Sequence, residues 1–298
     1  MRLRADEVKA MPPRFRFQIQ PKHPPHHAMA GDWAGLDKGT GYEFWGLRKY
    51  LAGDSFRHID WKARARSGEL YVREFLKDSA YNLVLICDLS PSMTCGGKLA
   101  LVRDLVESLA WTALHANNPC GLLLFADRVL DYLPPSAAPQ QLQRLLTALD
   151  RAGVADCRQT RLQPALAYLF KRLPACLGVI LSDFNAEIGD LRGQLEAAAG
   201  GRYPAHELVA LHILAEVEFR LPEMQDVQVH IRDVETGVTQ ALDLTRRQQY
   251  NALVGRWRKH LVRQLARADI DSALLTVTDP AIQEKVNTFF ARRLAARV

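Results

Sequence analysis

Short apolar runs alternate along the chain with longer segments in which apolar residues recur every three or four positions. The run Leu83–Cys87 is apolar throughout, which predicts a strand buried on both faces. From Lys98 onwards the apolar residues have helical spacing and predict one face of a helix. Both patterns recur as far as the strand predicted at Glu207–Leu214. Strands that alternate with helices in this way predict an α/β fold with a doubly wound, mostly parallel sheet.

Two segments depart from this alternation. A tight turn at Ala126-Asp127 lets the following Arg128–Leu133 run back as one antiparallel edge strand. Further on, Val227–Asp233 and Thr239–Leu244 flank Glu235-Thr236-Gly237 and predict a β-hairpin insertion at about residues 227–244.

The domain organisation follows from the same reading. No internal repeat or flexible linker interrupts residues 79–298, so we expect one domain there. Residues 1–78 are predicted to form an amino-terminal extension packed on its core. Within this extension, Leu70–Leu76 predicts a strand beside the central strand of the sheet.

Composition is that of an ordinary globular protein, with 48% hydrophobic and 24% charged residues in 298. The five cysteines are odd in number and lack C-x-x-C spacing, which favours reduced thiols in the cytoplasm. No apolar signal region or membrane-spanning run is present in the sequence, so we expect a cytoplasmic protein without a membrane span. The net charge of +6 is concentrated in Arg246–Val298.

Candidate chemistry begins where the central strand ends. Asp88, Ser90 and Ser92 alternate just past that strand, and a helix is predicted after Gly96-Gly97. Open α/β sheets bind ligands at this edge, and three hard oxygens suit Mg²⁺, with Mn²⁺ or Ca²⁺ as alternatives. Residues of these types also cap helices and form turns, so this string alone leaves both interpretations open.

Two further oxygen-bearing residues are predicted at comparable places. Thr160 lies in a loop just before a helix, and Asp183 follows a later strand as Asp88 follows the central one. Because the carboxyl ends of parallel strands share one edge of the sheet, we expect these side chains to converge with Ser90 and Ser92. Two carboxylates, three hydroxyls and water would complete an octahedral Mg²⁺ site.

The chain resembles a known pattern at these positions. The D-x-S-x-S string at Asp88–Ser92, Thr160 and Ser182-Asp183 are similar to the metal-ion-dependent adhesion site of von Willebrand factor A domains. A second set of motifs resembles a bacterial family, domain-of-unknown-function family fifty-eight. These motifs are Gly41-Tyr42-Glu43-Phe44, Leu47-Arg48-x-Tyr50, Gly53-Asp54, Arg57-x-Ile59-Asp60-Trp61, Ala65-Arg66, Asp233-x-Glu235-Thr236-Gly237 and Phe289-Phe290-x-Arg292-Arg293.

The resemblance implies a Rossmann-like von Willebrand factor A fold and a metal-dependent protein–protein interaction module. It also implies partnership with a MoxR-type AAA+ ATPase, as an adaptor in maturing a client protein or inserting its metal. By the same resemblance, Ser90 and Ser92 bind the ion directly, while Asp88, Thr160 and Asp183 bind it directly or through water. A partner's acidic side chain takes the remaining coordination position. Many family members carry two membrane-spanning helices before this region, and this chain has none, which favours a soluble adaptor.

The segment Gly41–Asp78 is expected to give partner selectivity. Its candidate partner-surface residues are Glu43, Arg48, Asp54, Arg57, His58, Asp60 and Trp61. The alternative is structural: Arg and Asp in such a segment pair with each other, and Trp61 anchors it on a core.

Two other functions compete with a binding module. A Mg²⁺-dependent phosphoryl-transfer or hydrolytic enzyme would need a second carboxylate two residues after Asp88, where the chain has Ser90. A P-loop is also lacking, because Gly97-Lys98 is followed by Leu99 and lacks the earlier glycine. A nucleic-acid binder would rest on the basic Arg246–Val298 alone, which also suits a solvated helix face. We therefore expect no enzymatic activity.

Overall fold

The computed structural model describes residues 12–22, 43–50, 59–76, 81–157, 159–173, 175–185, 191–199, 206–219, 221 and 228–295. These residues fall into two compact units, one within Met1–Lys22 and Tyr81–Val298 and the other within His23–Ala80. The described elements, in chain order, are β1 (Glu43–Lys49), α1 (Trp61–Ser67), β2 (Tyr71–Leu76), β3 (Asn82–Asp88), a 3₁₀ turn (Pro91–Gly97), α2 (Lys98–His115), β4 (Cys120–Phe125), β5 (Val129–Ser136), α3 (Gln141–Ala152), α4 (Gln163–Arg172), β6 (Cys176–Ser182), α5 (Leu191–Ala199), β7 (Glu207–Leu214), α6 (Glu216–Phe219), β8 (Gln228–Arg232), β9 (Thr239–Asp243), a short 3₁₀ turn (Leu244–Arg246), α7 (Arg247–Arg267), β10 (Asp271–Thr276) and α8 (Ile282–Ala295).

The larger unit contains a six-stranded sheet with the order β10-β7-β6-β3-β4-β5. All neighbouring strands are parallel except β5, which runs antiparallel to β4. This confirms the predicted α/β fold with a mostly parallel sheet and one antiparallel edge strand. The predicted hairpin is also present, because β8 and β9 pair in antiparallel register from Gln228 opposite Asp243 to Arg232 opposite Thr239.

Strand β3 explains why the core has two layers. All seven of its residues are buried, and their side chains alternate between the two faces of the sheet. Leu83 and Leu85 belong to one apolar cluster, which includes residues of α2, α3 and α8. Val84 and Ile86 belong to the other, which includes residues of α4, α5 and α7. Helices therefore cover the sheet on both faces, as an unbroken apolar strand requires.

Residues 12–22 pack against the same core. Phe15, Phe17 and Ile19 alternate with exposed residues and are buried in the cluster that contains α2 and α8. Side chains satisfy the backbone of this extended segment, because the Gln18 N–H donates to Asn287 Oδ1 at 2.9 Å and the Tyr81 hydroxyl donates to the Ile19 carbonyl at 3.0 Å.

The described residues of the smaller unit form the antiparallel pair β1–β2 and helix α1. The Leu70–Leu76 strand was predicted to lie beside the central strand, and this prediction is wrong. Its counterpart β2 pairs with β1, whereas β3 has β4 and β6 as neighbours. Helix α1 begins after Asp60, whose carboxylate accepts the N–H groups of Lys62 and Ala63 at 2.9 and 3.0 Å.

Across the described segments, no helix combines the length and the apolar character that a membrane crossing requires.

Candidate metal centre

Asp88 ends β3 inside the protein, and its carboxylate is fully buried. One oxygen accepts the Ser90 N–H at 2.9 Å, and the other accepts the Ser182 hydroxyl at 2.5 Å. Ser182 ends the neighbouring parallel strand β6, whose register places Leu181 opposite Cys87. The two strand ends therefore meet at one edge of the sheet, and both donors to Asp88 are neutral groups.

The hydroxyls of Ser90 and Ser92 lie 3.1 Å apart, and both residues are buried. The 3₁₀ turn that follows Ser90 holds this pair, because the Met93 N–H donates to the Ser90 carbonyl at 3.1 Å. Met93 itself is fully buried, which anchors the turn on the core. Two hydroxyl oxygens thus face each other beside the Asp88 carboxylate.

Thr160 reaches the same edge from the loop before α4. The loop is tied to the end of β4 by the Arg161 N–H, which donates to the Ala126 carbonyl at 2.9 Å. The buried Thr160 hydroxyl donates to Glu235 Oε1 at 2.8 Å. Glu235 comes from the tip of the β8–β9 hairpin, and the nearby Ser92 hydroxyl opposes the rise in the pKa of Glu235 that burial causes. Glu235 therefore contacts Thr160 and lies near Ser92.

Asp183 lies just past β6 and is paired with a lysine. Its Oδ2 lies 2.6 Å from the Nζ of Lys98, and its Oδ1 accepts the Asn185 N–H at 3.0 Å. Lys98 is fully buried at the start of α2, and it also forms an ion pair with Glu218 of α6. Burial acts to lower the pKa of Lys98, but the two carboxylates outweigh it, so the pKa is raised and the ammonium is retained.

The two other carboxylates of the site, Asp88 and Glu235, are harder to ionise than usual. Burial, together with the nearby Asp183, raises the pKa of Asp88 to about 7, against the hydrogen bonds from Ser182 and Ser90. Burial also raises the pKa of Glu235, with repulsion from Asp183 adding to the effect and the Thr160 hydrogen bond opposing it. The hydrogen bonds to Asp88 and Glu235 come from hydroxyl and amide donors, so a cation at this edge would stabilise the ionised form of both carboxyl groups.

The donor set fits a small divalent cation. Ligands at about 2.1 Å on neighbouring corners of an octahedron lie about 3.0 Å apart, close to the 3.1 Å between the Ser90 and Ser92 hydroxyls. Within the part of the chain that the structure describes, no three His, Cys, Asp or Glu side chains are grouped to hold a metal. Any ion here would therefore depend on hydroxyl oxygens as well as on Asp88.

Lys98, Glu218 and Glu235 were not predicted from the sequence as part of this site. A signal for Lys98 was available, because it is in helical phase with the buried Leu101 and Leu105. For Glu235 the signal was the resemblance of Asp233-x-Glu235-Thr236-Gly237 to a family motif, which did not indicate its place in this site. Glu218 had no such signal, and the packing of the hairpin and of the four-residue helix α6 brings the two glutamates to this edge.

The candidate partner-surface residues belong to the smaller unit. Glu43 and Arg48 lie in β1, Asp60 caps α1, and Asp54, Arg57 and His58 lie outside the described residues. Trp61 is 57% exposed, with the Arg64 guanidinium 5.6 Å from its ring centroid. Within α1, Trp61 therefore lies against Arg64 of the same helix.

The chain belongs to the family described as Protein of unknown function DUF58, whose model matches residues 46–260. It is 28% identical over 221 residues to the uncharacterized proteins Mb1516 of Mycobacterium bovis and Rv1480 of Mycobacterium tuberculosis. That similarity covers 72% of this chain and 67% of each relative.

Similar solved structures include the conserved hypothetical protein BatB from Bacteroides thetaiotaomicron, with 13% identity and a TM-score of 0.44 over 72% of this chain and all of BatB. An uncharacterized membrane spanning protein from Vibrio fischeri is 15% identical, with a TM-score of 0.24 over 72% of this chain and 96% of that one.

Proposed function

We propose that this protein is a metal-dependent protein-binding module of the von Willebrand factor A type. Its sheet edge would hold one divalent cation, and the cation would take an acidic side chain from a partner protein. The observation that carries the proposal is the buried pair of hydroxyls at Ser90 and Ser92, 3.1 Å apart and adjacent to the buried Asp88 carboxylate.

Ser90 and Ser92 would bind the ion directly, since hydroxyl oxygens at this spacing suit neighbouring corners of an octahedron. Asp88 would contribute its charge from directly behind them. Asp183, whose two oxygens already accept donors from Lys98 and Asn185, would act through water. When bound, the cation supplies the positive charge that attracts a carboxylate. Mg²⁺ fits this oxygen set best, with Mn²⁺ and Ca²⁺ as alternatives.

The family resemblance extends the proposal to the partner. A MoxR-type AAA+ ATPase would bind through an acidic side chain, and the chain would act as its adaptor toward a client protein. Trp61 and Arg64, which lie together on the exposed side of α1, are suited to such a contact because exposed aromatic and arginine residues are common at interfaces.

Titration calorimetry on the metal-stripped full chain tests the first step. Mg²⁺ or Mn²⁺ should show one saturable site, and the double variant Ser90→Ala/Ser92→Ala should lose it. Thr94→Val is the matched control, because the Thr94 hydroxyl lies in the same turn but donates to the Pro91 carbonyl. Absence of saturable binding at millimolar Mg²⁺, Mn²⁺ and Ca²⁺ to the folded wild-type chain would overturn the proposal.

Affinity capture tests the second step. An AAA+ ATPase should be recovered with wild-type protein in Mg²⁺ and lost on addition of a chelator or in the double serine variant. Recovery that is unaffected by the chelator would show that the ion is not part of the contact.

A further inference from the structure

The tip of the β8–β9 hairpin is held in one conformation by its own hydrogen bonds. Asp233 accepts the Glu235 N–H at 2.9 Å and the Thr236 hydroxyl at 2.8 Å. The Gly237 N–H donates to the Asp233 carbonyl at 2.8 Å, and Gly237 has a φ of +72°, which glycine adopts without strain. Glu235 is therefore presented by a pre-organised turn.

Glu235 differs from its neighbours in the direction it faces. His230–Val234 and Thr236–Ala241 are all exposed, whereas Glu235 is partly buried. Its carboxylate is directed toward the sheet edge, where Thr160 donates to it at 2.8 Å. A glutamate at a hairpin tip would ordinarily stay in water, because burying a carboxylate among neutral donors and near other carboxylates is unfavourable.

A bound cation would remove that cost. The Glu235 carboxylate accepts the Thr160 hydroxyl at 2.8 Å, so it directly contacts a residue that is expected to bind the ion directly or through water. It is also the same chemical group that a partner would bring to the site.

We propose that Glu235 is the chain's own carboxylate ligand to this cation, and that the β8–β9 hairpin acts as a tethered competitor of the acidic partner. This inference rests on the proposed function. A carboxylate held on a short tether has an effective concentration of roughly millimolar or more, so weak external acids would be excluded. A partner would gain access by displacing Glu235, which requires the hairpin tip to move away.

Two opposite effects of one substitution follow. Glu235→Gln keeps the shape and the contact with Thr160 but removes the charge. It should weaken Mn²⁺ binding by roughly 10- to 100-fold, the range seen when groups that support a metal are lost. At saturating Mn²⁺, the same variant should bind free acetate at least about tenfold more tightly than wild type, because the tethered competitor is gone. A purely structural role for Glu235 would not produce this increase.

The experiment uses Mn²⁺ as the ion and water-proton relaxation as the readout, on the full chain. Glu235→Gln and Glu235→Ala should expose the bound Mn²⁺ to an additional water and raise the relaxation rate, and acetate should then lower it. Glu216→Gln changes an exposed glutamate, the first residue of α6, and is the matched control that should behave as wild type. If Glu235→Ala fails to fold, hydrogen exchange of wild-type β8–β9 should still show protection on adding Mn²⁺.

The outcomes separate the two proposals. If wild type binds no Mn²⁺, the proposed function fails. If wild type binds Mn²⁺, but Glu235→Gln has unchanged affinity, relaxation and acetate binding, the inference about Glu235 is overturned while the metal site stands. If Mn²⁺ does not change the hydrogen exchange of the wild-type β8–β9 hairpin, the inference about Glu235 is likewise overturned.

Discussion

The ammonium of Lys98 lies 2.6 Å from the carboxylate oxygen of Asp183, and both side chains are buried although the residues are 85 positions apart. The pair joins the start of α2 to the end of β6, and Glu218 of α6 binds the same ammonium. A buried charge that loses its partner is costly, so this pair holds the candidate site together whether or not an ion is present.

Lys98→Met should therefore destabilise the protein by about 3–5 kcal/mol, because it leaves the buried Asp183 carboxylate without its cation. Chemical denaturation with circular dichroism measures the loss. The exposed Lys62→Met provides the control and should change stability by less than about 0.5 kcal/mol. The double variant Lys98→Met/Asp183→Asn should recover part of the loss, and full additivity of the two single variants would contradict the pairing.

Gly96, at the turn before α2, is predicted to be intolerant of a side chain. It has a φ of +59°, and an added Cβ would lie 2.3 Å from the Cβ of Ala215. Gly96→Ala should cost roughly 2–4 kcal/mol, from backbone strain plus overpacking. Gly153→Ala measures the backbone strain alone, because Gly153 has a φ of +61° and open space around it. This control variant should lose about 1–2 kcal/mol of stability. Equal losses in thermal denaturation would rule out the packing argument.

Residues 12–22 are predicted to contribute directly to stability. Phe17 is 5% exposed in the main core, so Phe17→Ala should lower the free energy of unfolding by about 3 kcal/mol. Gln18→Ala alters the next, exposed residue while leaving its backbone N–H bonded to Asn287, and should be nearly neutral. Urea denaturation measures both. A neutral Phe17→Ala would show that this segment does not pack on the core in solution.

The buried His206 should make the free energy of unfolding depend on pH. Burial lowers the pKa of His206 to about 4, and its ring faces the neutral Cys176 thiol at 3.2 Å. Because the unfolded chain binds this proton near pH 6.5, the contribution of His206 to the free energy of unfolding should fall by at most about 3 kcal/mol as the pH drops from 6.5 to 4, and then level off. His206→Gln should remove this contribution, so the difference between the wild-type and variant free energies should change with pH. Burial also lowers the pKa of His212 to about 4 and raises that of Asp88 to about 7, and these groups act equally in the two proteins.

The exposed His230→Gln variant is the control for this measurement and should keep the wild-type profile. The urea midpoint, followed between pH 4 and pH 7.5, gives the comparison. A profile of His206→Gln that matches wild type throughout would contradict a buried, neutral imidazole at this position.

Much of the larger unit was predictable because its signals are local. The run Leu83–Cys87 is apolar at every position, and this alone indicates cover on both faces of a central strand. The turn at Ala126-Asp127 and the hairpin around Gly237 were also recognisable from short segments. Strand partners are less local, and β2 was assigned to the wrong sheet because a strand's own residues do not specify its neighbour.

The amino-acid sequence determined that Asp88 ends one parallel strand and that Asp183 directly follows another, because an apolar run stops just before each. Parallel strand ends share one edge of the sheet, so the two carboxylates were expected there. Only the tertiary structure decided which charges meet there. Lys98 reaches Asp183 and Glu235 reaches Thr160 across 85 and 75 positions, respectively. Such contacts depend on how helices and a hairpin pack on the sheet, and no periodicity along the chain encodes that packing.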